Sequence, residues 1–478
     1  MEQIYSPGAG HLPEDDRLPG REHIIDSWRT MLAGLSAKGR PRARDLVLTG
    51  HRGVGKTVTM KACLNACEKA GYARLEFQAT PDTTLAAALA SAAEAYAANT
   101  ADTWTKAARL LSRLSGSIGL GPVSLEVANA PDSAPAGDRA ADPYNASAIA
   151  RAVADLARAE QRRNDGRGGV VIAIDELQAA APADIRTIGA ILNHLNNFAS
   201  DAPVAFIAAG LPNTSKEMIG PLNKQEPKPR ISNPSRLFVF EELSAHLKPT
   251  DTERALREPA QEHGCDWTPE AVAVVTAETG GYPAHLQALA AATWTRAAGP
   301  LVEADDVETA VPDARAEIAR MYFDDRWAVL GPVQRAYITA LALAGGEAQS
   351  GKIAAMLGRK TTGLSETRES LIDKGEIFAP RDGWVALAQP MIATYAPFRY
   401  REVDIDAHNL PTLVDMAGAR DKYVDRRTSA DAALTDDQVR SLILQRAAIQ
   451  RDADQAVDAS QTPPAEPPED GPAAPRQP

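Results

Sequence analysis

The sequence predicts an α/β fold in which a parallel sheet is covered by helices on both faces. Three observations lead there. The octapeptide Gly50-His51-Arg52-Gly53-Val54-Gly55-Lys56-Thr57 fits G-x-x-x-x-G-K-[ST] at every position, after the apolar run Leu46-Val47-Leu48 and before a helix-like stretch over residues 58–67. The run Val170-Val171-Ile172-Ala173-Ile174 is apolar throughout and ends in Asp175-Glu176; continuous apolar runs mark strands buried on both faces. Five strand-like runs alternate with helical ones over residues 1–242, and that alternation implies parallel pairing through helical crossovers.

Each element has its own reason. Ile24, Ile25, Trp28, Met31, Leu32 and Leu35 share one face of a helix that follows Leu18-Pro19-Gly20-Arg21-Glu22. The first strand covers residues 45–48 and the second 73–77. Ala- and Leu-rich helices are predicted over 85–98 and 104–114, a short exposed strand over 123–127, and a helix over 146–161. Residues 129–143, rich in Ala, Pro, Asp and Gly, read as a mobile loop. Past the acidic pair, Ile185, Ile188, Ile191, Leu192, Leu195 and Phe198 mark an amphipathic helix, and 203–209 and 237–240 read as the remaining strands.

Around Leu243 the pattern turns purely helical. Thr250 with Glu253 predicts a capping box, Thr268-Pro269 a second helix start, Gly280-Gly281-Tyr282-Pro283 a break between helices, and Asp305-Asp306 a further start. Residues 243–322 thus read as a helical domain. Over 323–400, helices at 333–343, 350–357 and 364–374 precede Ile377-Phe378, a turn at Arg381-Asp382-Gly383 and Trp384-Val385-Ala386-Leu387. Three helices and an Asp-Gly hairpin are the pattern of a winged helix-turn-helix. Residues 401–460 are polar, with one helix predicted over 436–452, and the Pro-, Ala- and Glu-rich 461–478 reads as disordered.

A chain of 478 residues, 44% of them hydrophobic, is long enough for several domains with sizeable cores. No apolar stretch reaches the length of a membrane span. Met1-Glu2-Gln3-Ile4-Tyr5 lacks the basic and apolar regions of a secretory leader. Three cysteines, Cys63, Cys67 and Cys265, fit a reducing compartment, so the expected location is the cytoplasm. Cys63 and Cys67 read as small buried residues, because no further Cys or His cluster completes a metal site. The net charge of −12 argues against a protein wholly coated in nucleic acid, but leaves room for one local DNA-binding face.

The motifs carry the chemistry. Glycines at 50, 53 and 55 let backbone N–H groups turn inward around an anion, and the helix that follows adds partial positive charge. The predicted phosphate-binding set is Gly50, His51, Arg52, Gly53, Val54, Gly55, Lys56, Thr57 and Val58. Lys56 would neutralise the terminal phosphates and the Thr57 hydroxyl would ligate Mg²⁺. Asp175 would hold Mg²⁺ and Glu176 would polarise the attacking water. An Asp-Glu pair after a strand also serves as a helix cap; the upstream phosphate loop favours the metal reading.

Together these residues resemble the AAA+/STAND group of P-loop ATPases, in particular its origin-recognition-like branch in prokaryotes, over residues 5–395. Tyr5-Ser6-Pro7-Gly8-Ala9-Gly10 and Leu18-Pro19-Gly20-Arg21 look like that branch's N-terminal box, which packs around the adenine. The resemblance implies a P-loop sheet with an additional catalytic acid, a helical lid and a C-terminal winged helix. It implies ATP and Mg²⁺ as ligands, roles for Arg21 and Pro283 at the base, and a catalytic role for Arg236 toward a neighbouring subunit. No Asn-Lys-x-Asp motif selects guanine. Two departures stand out. The fourth core strand ends Ala208-Ala209-Gly210 where the family often places Asn, Ser or Thr, so that Asn213 and Thr214 are the first polar candidates; and His285 stands where an arginine is usual.

In the winged helix, Lys360, Thr361, Thr362, Ser365 and Arg368 lie at or near the start of the recognition helix and Arg381 at the wing tip, a set suited to phosphates and base edges. Glu366, Glu369 and Asp382 nearly balance them, which suits a protein partner as well. The expected function is ATP hydrolysis (catalytic Lys56, Glu176 and Arg236) used as a molecular switch that engages double-stranded DNA or a protein, with self-association. The alternatives are a non-hydrolysing STAND-like scaffold that changes assembly state with ATP or ADP, and a DNA-tethered loader or transposition helper.

Overall fold

Strands β1 (Asp45–Thr49), β2 (Tyr72–Gln78), β3 (Gly169–Asp175), β4 (Val204–Gly210) and β5 (Phe238–Glu242) form one sheet in the order β2-β3-β4-β1-β5, every neighbouring pair parallel. The structure is a computed structural model that describes residues 3–6, 18–36, 43–97, 104–105, 109–113, 143–400 and 408–423. Along each strand successive side chains point to opposite faces of the sheet. Val170, Ile172 and Ile174 of β3, with Val204, Phe206 and Ala208 of β4, face the helices Leu85–Ala97, Pro143–Arg163 and Pro182–Phe198. Val171, Ala173, Ala205, Ile207 and Ala209 face the opposite way, toward the helices Glu22–Ser36 and Lys56–Lys69. Each large apolar side chain buried in this way contributes about 1.5–3 kcal/mol.

The strand predicted over 237–240 is displaced. Pro234–Leu237 is a short helix and β5 begins at Phe238. Proline at the first helical position presets the backbone and turns the chain before the strand starts. Pro143, placed in the expected loop, opens the helix Pro143–Arg163. The rest of that loop, the strand predicted at 123–127 and the helix predicted at 436–452 lie outside the described residues, as do residues 106–108 and 114 of the helix predicted at 104–114.

Four helices follow the sheet, Pro249–Glu262, Pro269–Thr279, Pro283–Arg296 and Ala304–Ile318. This stretch is not purely helical: β6 (Asp266–Trp267) pairs in parallel with β7 (Leu301–Val302). Strands of two residues carry no periodicity, which is why the sequence hides them. Thr250 is not the cap of the first helix; Pro249 starts it and Lys248 occupies the cap position without a side-chain bond. Thr268 does cap the second, accepting from the Ala271 amide at 3.1 Å. Tyr5 plugs the core of this unit, edge-on to Trp267 and Trp294, with its hydroxyl donating to the carbonyl of Leu256.

The last unit holds the helices Pro332–Leu343, Ser350–Met356 and Ser365–Asp373 and an antiparallel sheet β8-β10-β9, made of β8 (Glu347–Gln349), β9 (Ile377–Phe378) and β10 (Trp384–Leu387). Strand β8, hidden after Gly345-Gly346, is again too short to show a period. A helix Ile392–Arg399 packs back on Pro332–Leu343, and Leu413–Lys422 lies in the segment read as merely polar. No described helix is long and apolar enough to cross a membrane.

The starts of β2, β3 and β4 converge on Gly168-Gly169. A Cβ on Gly168, whose φ is +73°, would lie 2.0 Å from the carbonyl oxygen of Gly71. Gly264 has a similar φ of +72° but open space around it. Gly264→Ala should therefore cost only the left-handed conformation, about 1–2 kcal/mol, and Gly168→Ala about 3 kcal/mol or more because backbone must also move. Urea unfolding of the two variants beside the wild type measures the difference.

Candidate functional site

The loop between β1 and the helix Lys56–Lys69 is shaped by what holds its carbonyl groups. Three consecutive carbonyl oxygens are taken from outside. That of His51 accepts from Lys56 Nζ at 2.8 Å, that of Arg52 accepts from the Tyr282 hydroxyl and from Gln389 Nε2 at 3.2 Å, and that of Gly53 accepts from the Ala284 amide at 3.1 Å. Gly53 and Gly55 are left-handed, at φ +83° and +91°, a conformation that glycine adopts without penalty. Alternating conformations with carbonyls turned away leave N–H groups facing one concavity, which suits an anion. Gly55 borders open space, with no atom within 4 Å of a Cβ placed there. Gly53 lies against the following unit: a Cβ on it would sit 2.9 Å from that of Ala284.

Lys56 is 7% exposed, and burial pushes its ammonium down to about 8 against the pull of Glu176 and Asp175. Thr57 donates to Asp175 Oδ2 at 2.8 Å, joining the loop to the end of β3. A hydroxyl and a carboxylate so placed are hard oxygen donors of the kind Mg²⁺ takes alongside substrate phosphates. Val58 follows in the first helical turn, half-buried. Glu176 is left-handed at φ +52°, unusual for a residue with a side chain, and its amide donates to Asp175 Oδ1 at 2.8 Å.

Sequence reasoning missed Gln178. Its Nε2 donates to Glu176 Oε2 and its Oε1 accepts from the Leu211 amide, 3.0 Å away, just past β4. It missed Tyr282, Ala284 and Gln389 as well; only the Gly280-Gly281-Tyr282-Pro283 break pointed at the first two, and nothing in the sequence pointed at Gln389. The turn before Pro283 does reach the loop, although Pro283 itself begins the helix Pro283–Arg296. Arg21 is buried and donates to the carbonyls of Val54, 3.3 Å, and Ser244, 2.9 Å, bracing the loop from behind. Of the polar candidates past β4, Thr214 spends its hydroxyl on the Leu211 carbonyl at 2.6 Å, and Asn213 Oδ1 is buried without a partner among the described residues.

Other predicted residues stand elsewhere. Arg236 is exposed in the short helix ahead of β5. Because β1 and β5 run parallel with Asp45 opposite Phe238, it lies where the strands begin, while the phosphate loop lies where they end. It does not join this chain's own site. His285 is fully buried, stacked 4.6 Å from Tyr282, and burial pushes it down to about 3; it is a packed neutral ring. Lys360 and Thr361 precede the helix Ser365–Asp373 rather than lying on it, and Ser365 opens it; all three are exposed. Arg368 is half-buried, and Arg381 pairs with Glu347 at 3.0 Å while stacking 3.7 Å from the Trp384 ring. Cys63 and Cys67 are buried as expected, the latter accepting from Trp28 Nε1 at 3.2 Å.

His51 is held neutral. It is 8% exposed, its ring lies 4.8 Å from Phe378, and burial beside Lys56 and His246 pushes it down to about 4. In the unfolded chain it would titrate near 6.5. Between those values the unfolded state binds more protons, so stability is complete above pH 6.5 and is lost as pH falls toward 4. His51→Asn should remove this part of the acid sensitivity, on the order of 3 kcal/mol. Urea unfolding of both proteins from pH 7 to 4 reads it out.

Residues 17–207 match the family described as AAA ATPase domain, and residues 320–396 match a domain of unknown function, DUF8462. No curated protein matches the sequence. Among solved structures, the chain is similar to the Walker-type ATPase PABY2304 of Pyrococcus abyssi, at 14% identity over 80% of this chain and 97% of that one, with a TM-score of 0.47. It is similar to the ORC2 protein of Aeropyrum pernix, solved as ADPNP–ADP complexes, at 15% identity, 84% and 97% coverage and a TM-score of 0.47. A third is Cdc6p of Pyrobaculum aerophilum, at 12% identity, 82% and 97% coverage and a TM-score of 0.39. The family match spans both the phosphate loop and the acidic strand. With the sheet order and the loop geometry, it gives residues 17–207 an AAA ATPase domain on a P-loop fold.

Proposed function

We propose that the chain is a Mg²⁺-dependent ATPase of the origin-recognition-like branch that works as a nucleotide-controlled switch. Its parts are a sheet domain over residues 1–242, a lid over 243–322 and a winged helix over 323–400. The observation that carries the reading is the grip on the loop. Consecutive residues His51, Arg52 and Gly53 are touched by Phe378 and Gln389 of the last unit and by Tyr282 and Ala284 of the lid. Any anion that reshapes the loop must be felt by both.

In this reading the loop amides and Lys56 hold the polyphosphate. Thr57 and Asp175 hold Mg²⁺, which when bound neutralises charge on the phosphates. Glu176 takes the proton of the attacking water, and Arg236, exposed and outside its own site, serves a neighbouring copy. The winged helix presents Lys360, Thr361, Ser365 and Arg368 to double-stranded DNA or to a protein partner, with Arg381 partly committed to Glu347. The setting is the cytoplasm.

A second reading is a non-hydrolysing scaffold. It is favoured by Glu176 and Lys56 both being engaged within the chain, by Gln178 and by the His51 carbonyl. The two readings part at Glu176→Gln. The switch reading expects multiple turnover of Mg·ATP by the wild type and at least about a hundredfold loss in the variant, with Mg·ATP binding by calorimetry unchanged. Binding without wild-type turnover would leave the scaffold.

The grip itself is testable. Gln389→Ala removes one neutral hydrogen bond to the loop, worth about 0.5–1.5 kcal/mol. If the contact restrains the nucleotide-free state, Mg·ATP affinity should rise about three- to tenfold, measured by calorimetry.

A further inference from the structure

We infer that Gln178 is a positioning residue for the hydrolysis proposed above: its amide orients the Glu176 carboxylate and ties it to the end of β4. The inference rests on the reading of Glu176 as the group that takes the proton of water.

Three features support it. One amide makes both bonds, Nε2 to Glu176 Oε2 and Oε1 from the Leu211 amide at 3.0 Å. The end of β4 has no room for a polar side chain of its own. A Cβ on Gly210 would lie 2.2 Å from Thr214 Oγ1 and 3.1 Å from Gln178 Oε1. The position next to Glu176 is therefore filled by Gln178 reaching across, and Gly210 is what admits it. The Glu176 backbone is also fixed on both sides, its amide on Asp175 Oδ1 and its carbonyl accepting from Ala179 at 2.7 Å, in a left-handed conformation. Such a conformation is costly for a residue with a side chain and persists only where surroundings enforce it. The backbone being fixed, the side-chain torsions remain to be set, and Gln178 sets them. Donation to Oε2 leaves Oε1 to accept from a water.

The tie does not stop at β4. A Cβ on Gly375 would sit 3.5 Å from the Leu211 side chain, so the residue whose amide Gln178 holds also packs on the winged-helix unit. Orientation of Glu176 and seating of that unit thus meet at one residue.

The test uses the full chain with two variants. Gln178→Ala removes both bonds. Gln178→Glu keeps an acceptor for the Leu211 amide but replaces the donor to Glu176 with a like charge. Both should lower kcat for Mg·ATP by about ten- to a hundredfold, with KM and calorimetric affinity within about twofold, since neither bond reaches the phosphates. Amide hydrogen exchange at Leu211 in the nucleotide-free protein should quicken in Gln178→Ala and stay slow in Gln178→Glu, a readout independent of turnover. If Gln178→Ala fails to fold, Gln178→Glu decides alone. Wild-type turnover that Glu176→Gln abolishes but both Gln178 variants leave within twofold would overturn this inference and leave the function standing. Parallel loss of affinity and kcat would overturn it in favour of a merely structural role. A wild type without turnover would overturn the reading beneath it and this inference with it.

Discussion

The constraint on which the site depends is the outward hold on three successive carbonyl groups, at His51, Arg52 and Gly53. A peptide unit is rigid, so fixing where its oxygen points also fixes where the next N–H points. Glycines at 53 and 55 allow the alternation, but they do not choose it, since glycine populates both hands. The choice comes from a lysine at the loop's own end and from three partners far away in sequence: a tyrosine and a backbone amide at the start of the helix Pro283–Arg296, and a glutamine beyond β10. Each bond is worth only about 1 kcal/mol net. Together they define one loop shape out of the many a glycine-rich segment has.

Sheet order supplies the second half of the site. In sequence, β2 separates the phosphate loop from the acidic strand; in space β4 does. Thr57 can meet Asp175 only if whatever ends β4 stays out of the way. Ala208, Ala209 and Gly210 do so, and Gly210 also accepts from the Gly50 amide at 3.3 Å, so the loop is pinned at its first residue by that same strand end. A Cβ at Gly210 would collide with Thr214 Oγ1 and crowd the Gln178 amide that crosses to Leu211.

Much of this was legible because the signals are local and repetitive. Continuous apolar runs gave β3 and β4, and the spacing of Ile185, Ile188, Leu192 and Leu195 gave a helix, because burial on a regular backbone imposes a period. The octapeptide gave the loop because phosphate binding restricts residue type at fixed offsets. What could not be read has no period. β6, β7 and β8 are two or three residues long. Pro249 overrode Thr250 because a preset backbone angle outweighs one side-chain bond. Gln389 lies 337 residues from the carbonyl it holds, and Gln178 looks like any polar residue in a short helical turn. The first depends on how units dock, the second on the absence of a side chain at Gly210, and neither leaves a trace in a window of sequence.

The grip on the loop is incomplete, and this bears on how it could be released. His51 Nδ1, Arg52 Nε and Gln389 Oε1 are buried without partners among the described residues. A buried polar atom left unpaired costs about 1–3 kcal/mol, so three of them offset much of what the contacts to the loop contribute. Each such atom lowers the cost of releasing the loop, so a smaller difference in affinity between two arrangements would be enough to move the population. A polyphosphate arriving on the inward amides brings charge to Lys56, whose ammonium is partly destabilised by burial and currently rests on the His51 carbonyl. In the proposed switch, drawing Lys56 inward would free that carbonyl, and the residue that carries it is the one packed on Phe378. The charge and the far unit would then be linked through a single residue, without any need for a long pathway between them.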